Sequence, residues 1–221
     1  TNVLNQRMPL NDFARLYDIE PVELEMILEE GRATLYEFRS RRPRPHLDDK
    51  VLTSWNALMI SSLAYGGLAL DEPQYTETAA RAAGFIIDTM FSNGRLLRRY
   101  RDGEAAVPGF LDDYAFMSAA LIELYEATFD TRWLERARDI ADAMTELFAD
   151  GENGGFYLTR RDAADLPGRT KDAYDGAEPS GNSMAALALL RLGAFTGEER
   201  YTDGGIRALQ AFGDTIEKHP P

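Results

Sequence analysis

The fold is decided by the stretch Ser183-Met184-Ala185-Ala186-Leu187-Ala188-Leu189-Leu190-Arg191-Leu192-Gly193. It is apolar nearly all round, and a helix without a polar face has to be buried. The chain then turns at Gly197-Glu198-Glu199 and continues from Tyr201 to Ile216 as a second helix. Two earlier segments follow the same plan. Leu52 to Gly67 turns at Asp71-Glu72-Pro73 and resumes to Phe91; Asp112 to Thr128 turns at Asp130-Thr131 and resumes from Trp133 to Phe148.

In each segment the second helix is one-sided. Tyr75, Ala79, Ala82, Ile86 and Met90 recur at helical spacing, as do Trp133, Ala137, Ile140, Met144 and Leu147, while Arg81, Asp88, Arg136, Asp139 and Glu146 take the opposite face. The aromatic anchors Tyr75, Trp133 and Tyr201 are 58 and 68 residues apart, which suits a unit of two helices and a loop. Buried first helices and amphipathic second helices make two layers. The expected fold class is therefore all-α: a partial α/α toroid of about three helical hairpins plus a leading helix.

Pro73 suits the first position of a helix, and Thr131 suits a cap, with Asp130 near the positive end of the dipole. The alternating stretches Gly94–Arg101 and Gly154–Thr159 read as short strands or hairpins at one rim. A leading amphipathic helix, with Leu24, Leu28, Leu35 and Phe38 on one face, is expected from Pro21 to about Arg41, preceded by a shorter one near Asn11–Tyr17, and it stops in the basic run ending at Pro45. The whole is read as one domain: leading helices and linker over 1–45, then hairpins over 46–108, 109–177 and 178–221. An open half-ring would have to cover its ends, for which self-association is one means.

Composition narrows the function classes. At −13 the net charge repels phosphate backbones, so a nucleic-acid partner is not expected. No apolar run is long enough for a membrane span. Cysteine is absent, which removes disulfides, thiolate metal sites and a cysteine nucleophile and fits a cytoplasmic setting. The cations are nearly all Arg, the lysines being Lys50, Lys171 and Lys218; adaptation to high salt and a GC-rich genome both account for this.

Each first helix opens just after a polar motif: Arg44-Pro45-His46-Leu47-Asp48-Asp49-Lys50, Gly109-Phe110-Leu111-Asp112-Asp113-Tyr114, and Glu178-Pro179-Ser180-Gly181-Asn182-Ser183. The repeat places these starts on one rim. Facing carboxylates could divide acid and base roles as in glycoside hydrolysis, so Asp48, Asp49, Asp112, Asp113 and Glu178 are catalytic candidates. His46 joins them as a proton shuttle; His219 is terminal. Trp55, Asn56, Phe110, Tyr114 and Asn182 are candidates for positioning a substrate, the aromatic rings by stacking on a sugar. The alternatives stay open: one Asp of each pair is needed as a helix cap, a lone loop His is commonly structural, and the aromatic residues equally suit the core. No cofactor motif, phosphate loop or metal cluster is present, and a single eligible His argues against a His-based metal site.

The motifs over 44–56, 109–116 and 175–183 resemble the spermatogenesis-associated protein 20 family, whose members carry a thioredoxin domain ahead of a large helical toroid. The resemblance spans essentially the whole chain. It implies the C-terminal half of that toroid, a thioredoxin domain as partner in the longer protein, and a six-hairpin, glycosidase-like fold similar to N-acylglucosamine 2-epimerase. Those epimerases use paired histidines from different hairpins; His46 alone is eligible here, so their mechanism does not transfer. Two functions follow as expectations: a carbohydrate-active isomerase, epimerase or glycosidase-like protein, or a non-catalytic scaffold for the thioredoxin domain.

Overall fold

The structure is a computed structural model that describes residues 5–163 and 168–218. The chain divides into two compact units, one ending at Asp48 and one starting at Asp49. The first holds α1 (Leu10–Tyr17) and α2 (Pro21–Ser40). α1 ends on Asp18 in the left-handed region, and Pro21 opens α2 at a position where a missing N–H costs nothing. Of the apolar face anticipated on α2, Leu24 is buried, Leu28 half-buried, and Leu35 and Phe38 exposed.

The second unit contains β1 (Val51–Leu52), α3 (Thr53–Leu70), α4 (Pro73–Met90), β2 (Phe91–Ser92), β3 (Arg95–Arg101), β4 (Glu104–Pro108), α5 (Leu111–Thr128), α6 (Thr131–Phe148), α7 (Gly181–Thr196), α8 (Glu199–Ala211) and α9 (Gly213–Lys218). Three hairpins, α3–α4, α5–α6 and α7–α8, form the two expected layers. The inner helices pack in sequence, α3 on α5 and α5 on α7. α5 is therefore enclosed from both sides, and Leu111 and Tyr114 through Ile122 are all buried. The outer helices bury one face only: Ala79, Ala83, Ile86 and Met90 on α4, and Ala137, Ile140, Met144 and Leu147 on α6.

The hairpin turns are copies of one another. Asp71, Phe129 and Gly197 each take a left-handed conformation, and each N–H bonds back to the carbonyl four residues earlier. Two residues later the outer helix begins. Pro73 is its first residue in the first hairpin, as anticipated. In the second hairpin Asp130 is the cap, accepting from the Arg132 N–H at 3.1 Å, and Thr131 is already helical, which corrects the expectation that Thr131 caps.

β3 is the common antiparallel partner of β1, β2 and β4, with two-residue turns at Asn93-Gly94 and Asp102-Gly103 whose residues all have positive φ. The second anticipated strand, 154–159, does not form. The N–H groups of Phe156, Tyr157 and Leu158 go to Asn182 Oδ1, the Phe148 carbonyl and the Thr170 carbonyl. Three successive donors with three different partners make a pinned loop, and only a lone bridge between Ala149 and Phe156 remains.

Close approach of inner to outer helix fixes the end of two hairpins. A Cβ on Gly67 would lie 2.2 Å from Thr76 Oγ1, and one on Gly193 2.3 Å from Thr202 Oγ1. Gly67→Ala should therefore lower stability by about 1–3 kcal/mol in thermal or urea denaturation. Gly66→Ala, where an added Cβ meets open space, should raise it by up to about 1 kcal/mol, because alanine restricts the unfolded chain.

Candidate functional site

The inner helices all start at one rim, with α3 and α5 next to the sheet. At its centre is Asp113, the third residue of α5, with 0% exposure. Its Oδ1 accepts from the Ser54 N–H of α3 at 3.1 Å; its Oδ2 accepts from the Phe110 N–H at 2.9 Å and from Arg98 Nη1 at 3.1 Å. One carboxylate thus caps its own helix, caps the neighbouring inner helix and holds β3. Helix starts leave backbone donors unpaired, and α3 has no side-chain cap of its own. Burial, reinforced by Asp112, pushes the Asp113 carboxyl up to about 6, against the two backbone N–H groups and Arg98, which pull it down.

Asp112 is the other member of the pair and behaves differently. It is about one-third exposed and shares Arg98 Nη1 with Asp113, at 3.3 Å. The Arg98 guanidinium also lies over the Phe110 ring, 5.0 Å from its centroid. Arg98 was absent from the candidates read in the sequence. Its one local signal is an Arg inside an alternating strand shortly before a doubled Asp.

The third motif reaches the first through a long-range pair. Trp55, on the first turn of α3, is 59% exposed, and its Nε1 donates to Glu178 Oε1 at 3.0 Å. Glu178 is exposed on the loop leading into α7. That loop is held by Ser180, whose N–H donates to Asp175 at 2.6 Å and whose hydroxyl caps α7 by accepting from the Ser183 N–H at 3.0 Å.

The remaining candidates have other placements. Tyr114 is fully buried and its hydroxyl accepts from the Leu96 N–H at 2.8 Å, so its ring offers no face to a ligand. Asn182 is buried with its amide group engaged by the Phe156 N–H and by the carbonyls of Phe156 and Asp172. Both fasten the rim instead of lining it. Asn56 donates to the Leu52 carbonyl one turn earlier at 2.8 Å. Asp49 pairs with Arg101 at 2.8 Å on the sheet. His46 and Asp48 are exposed and belong to the first unit; His219 lies outside the described residues. Of the candidates at the inner-helix starts, Trp55, Phe110, Asp112 and Glu178 present side chains to solvent, Trp55 with Glu178 and Phe110 with Asp112 beside Arg98. Among the described residues no three His, Cys, Asp or Glu side chains are grouped to hold a metal ion, and no helix is long and apolar enough to cross a membrane.

The loop beside the rim has its own lock. Asp150 accepts from Lys171 Nζ at 2.7 Å, from the Tyr157 hydroxyl at 3.0 Å and from the Glu152 and Asn153 N–H groups. Lys171 and those N–H groups hold its carboxyl well below the usual range.

Two outcomes follow for the aspartate pair. Asp113→Ala leaves two helix-start donors and Arg98 without their acceptor and should cost about 3 kcal/mol, against less than about 1 kcal/mol for Asp112→Ala, measured by urea unfolding. The proton affinity of Asp113 is higher in the folded chain than its ordinary 3.8. The increment of stability that comes from holding this proton is therefore present below about pH 4 and lost as pH rises through about 6. Unfolding of wild type and Asp113→Asn across pH 4–7 should show this loss in the wild type alone.

No family model matches the sequence. Among curated relatives, mouse Spermatogenesis-associated protein 20 is 40% identical over 99% of this chain, and the human protein 38% over the same share. An uncharacterised protein of Caenorhabditis elegans is 31% identical over 98%. The chain spans about 29% of the length of the mouse and human proteins. Among solved structures, cellobiose 2-epimerase from Spirochaeta thermophila superposes with a TM-score of 0.59 at 18% identity, covering 74% of this chain and 43% of that one. Unsaturated glucuronyl hydrolase from Bacillus sp. GL1 gives 0.61 at 16% identity, with 79% and 50% covered. A sugar epimerase from a ruminal bacterium gives 0.63 at 14%, with 76% and 46% covered. The chain thus matches Spermatogenesis-associated protein 20 along its whole length, over less than a third of that protein, and has the fold of the α/α toroid epimerases and glycosidases.

Proposed function

We propose that the rim formed by Trp55, Phe110, Asp112 and Glu178 binds a carbohydrate, and that the chain is the sugar-facing part of an α/α toroid enzyme performing acid–base chemistry, as an isomerase, epimerase or hydrolase. The observation that carries this reading is the exposed Trp55 indole, oriented by a hydrogen bond to a carboxylate from a different inner-helix start. A pyranose has apolar C–H faces and a girdle of hydroxyl donors. An aromatic face edged by carboxylates complements both. Asp112 and Glu178, presented from different hairpins, are the carboxylates assigned to proton transfer. Asp113 is a positioning residue beneath them. The fold shared with sugar epimerases and a glucuronyl hydrolase supports the class, and cysteine-free composition suits a cytoplasmic setting.

A second reading, a scaffold or protein-binding module working with a thioredoxin domain, is favoured by a separate observation. α3 turns Met59, Tyr65, Leu68 and Leu70 towards solvent, and an apolar stripe of that kind suits a covering partner.

Calorimetric titration with cellobiose and mannobiose separates the two. Saturable binding that weakens about tenfold in Trp55→Ala and Glu178→Gln, the loss expected for one stacking or hydrogen-bonding contact, supports the sugar site. Absence of heat with every sugar, together with unchanged melting temperature, favours the scaffold.

A further inference from the structure

We infer that this rim takes an uncharged glycan and discriminates against phosphorylated and uronic-acid sugars, an inference that rests on the carbohydrate reading of the same site. Holding an anionic substituent calls for a cation whose donors point at the ligand, because charge-assisted bonds supply both the affinity and the orientation. Arg98, Arg101, Lys171 and Arg169 are each engaged by groups of the protein.

Arg98 Nη1 is shared by Asp112 and Asp113, and the guanidinium plane rests on Phe110. Lys171, on the loop that carries Glu178, is half-buried, with Nζ 2.7 Å from Asp150 Oδ2 and 2.5 Å from the Gly154 carbonyl. Arg169, on the same loop, donates to the Thr159 and Leu147 carbonyls and lies over the Tyr157 ring at 4.1 Å. Arg101 is paired with Asp49.

The carboxylates have the opposite disposition. Glu178 is exposed at the Trp55 indole, Asp112 is partly exposed beside Phe110, and Asp172 and Asp175 are exposed on the loop leading to Glu178. Neutral sugar hydroxyls donate to such oxygens. A phosphate or carboxylate stacked on Trp55 meets Glu178 at hydrogen-bonding range, with the excess negative potential of the surrounding loop behind it. Solvent ions screen this repulsion over about 10 Å at 0.1 M salt, so the discrimination is salt-dependent.

The test uses the chain with Trp133→Phe, which leaves Trp55 as the single tryptophan. Its fluorescence is followed while glucose, glucose 6-phosphate, glucuronate, cellobiose and mannobiose are added, at about 50 mM and 500 mM salt. The expected result is that the neutral sugars bind and that the two anionic ones bind at least about tenfold more weakly at low salt, the gap narrowing at high salt. Glu178→Gln, read by calorimetry, should shrink the neutral-to-anionic ratio even though it weakens both. Equal or tighter binding of the anionic sugars overturns the inference while leaving the sugar site standing. Failure of every sugar to change the signal overturns the sugar site, and the inference with it.

Discussion

The second unit depends on one buried carboxylate. Asp113 satisfies the start of α5, the start of α3 and Arg98 of β3 at once. Removing a charge from water is expensive, and it is tolerated only where every lone pair has a donor. Here two donors are helix-start amides, whose own cost of burial without a partner is relieved by the same contact. The arrangement makes the registry of α3 against α5 a condition for burying Asp113, so the first two inner helices cannot slide independently of the sheet.

The same logic is repeated one step along the chain. The Leu111 N–H at the start of α5 bonds to the Leu158 carbonyl from the loop before α7, and Asn182 at the start of α7 pins that loop through Phe156. The starts of α3 and α5 are thus each completed in part from further along the chain, while α7 is capped by its own Ser180. Thr53 extends the pattern to the sheet, donating to the Leu97 carbonyl at 2.6 Å. What solvent meets above this polar floor is the remainder: Trp55, Phe110, Asp112 and Glu178. Site and scaffold are built from adjacent residues of the same motifs, and this is why Asp112 and Asp113 divide, one outward and one inward.

Further along the inner helices a second polar cluster does a mechanical job. Arg191 of α7 pairs with Glu123 at 3.0 Å and Glu126 at 2.5 Å on α5, and Ser61 of α3 bonds to Glu123. Three inner helices are joined across one polar group. The solitary Arg191 in an otherwise apolar helix is therefore not an exception to its burial. Its side chain crosses to the neighbouring helix, and its charge is met there.

Sequence alone determined the elements and the layers. Helical periodicity and turn chemistry are local, so the three hairpins, their outer faces around Met90 and Met144, and the leading helices were legible from spacing. The polar starts were legible as motifs too. What only the tertiary structure decided is which residue does what within them, because those bonds join distant parts of the chain. Trp55 and Glu178 are 123 residues apart, and Asp113 meets Ser54 across 59. Nothing in the local pattern separates Asp112 from Asp113, or Tyr114 as a core residue from Phe110 as a rim residue; packing of α3 and β3 against α5 makes that choice. Loop 154–159 shows the limit most directly. Its alternation suits a strand, but its N–H groups found Asn182, Phe148 and Thr170 first.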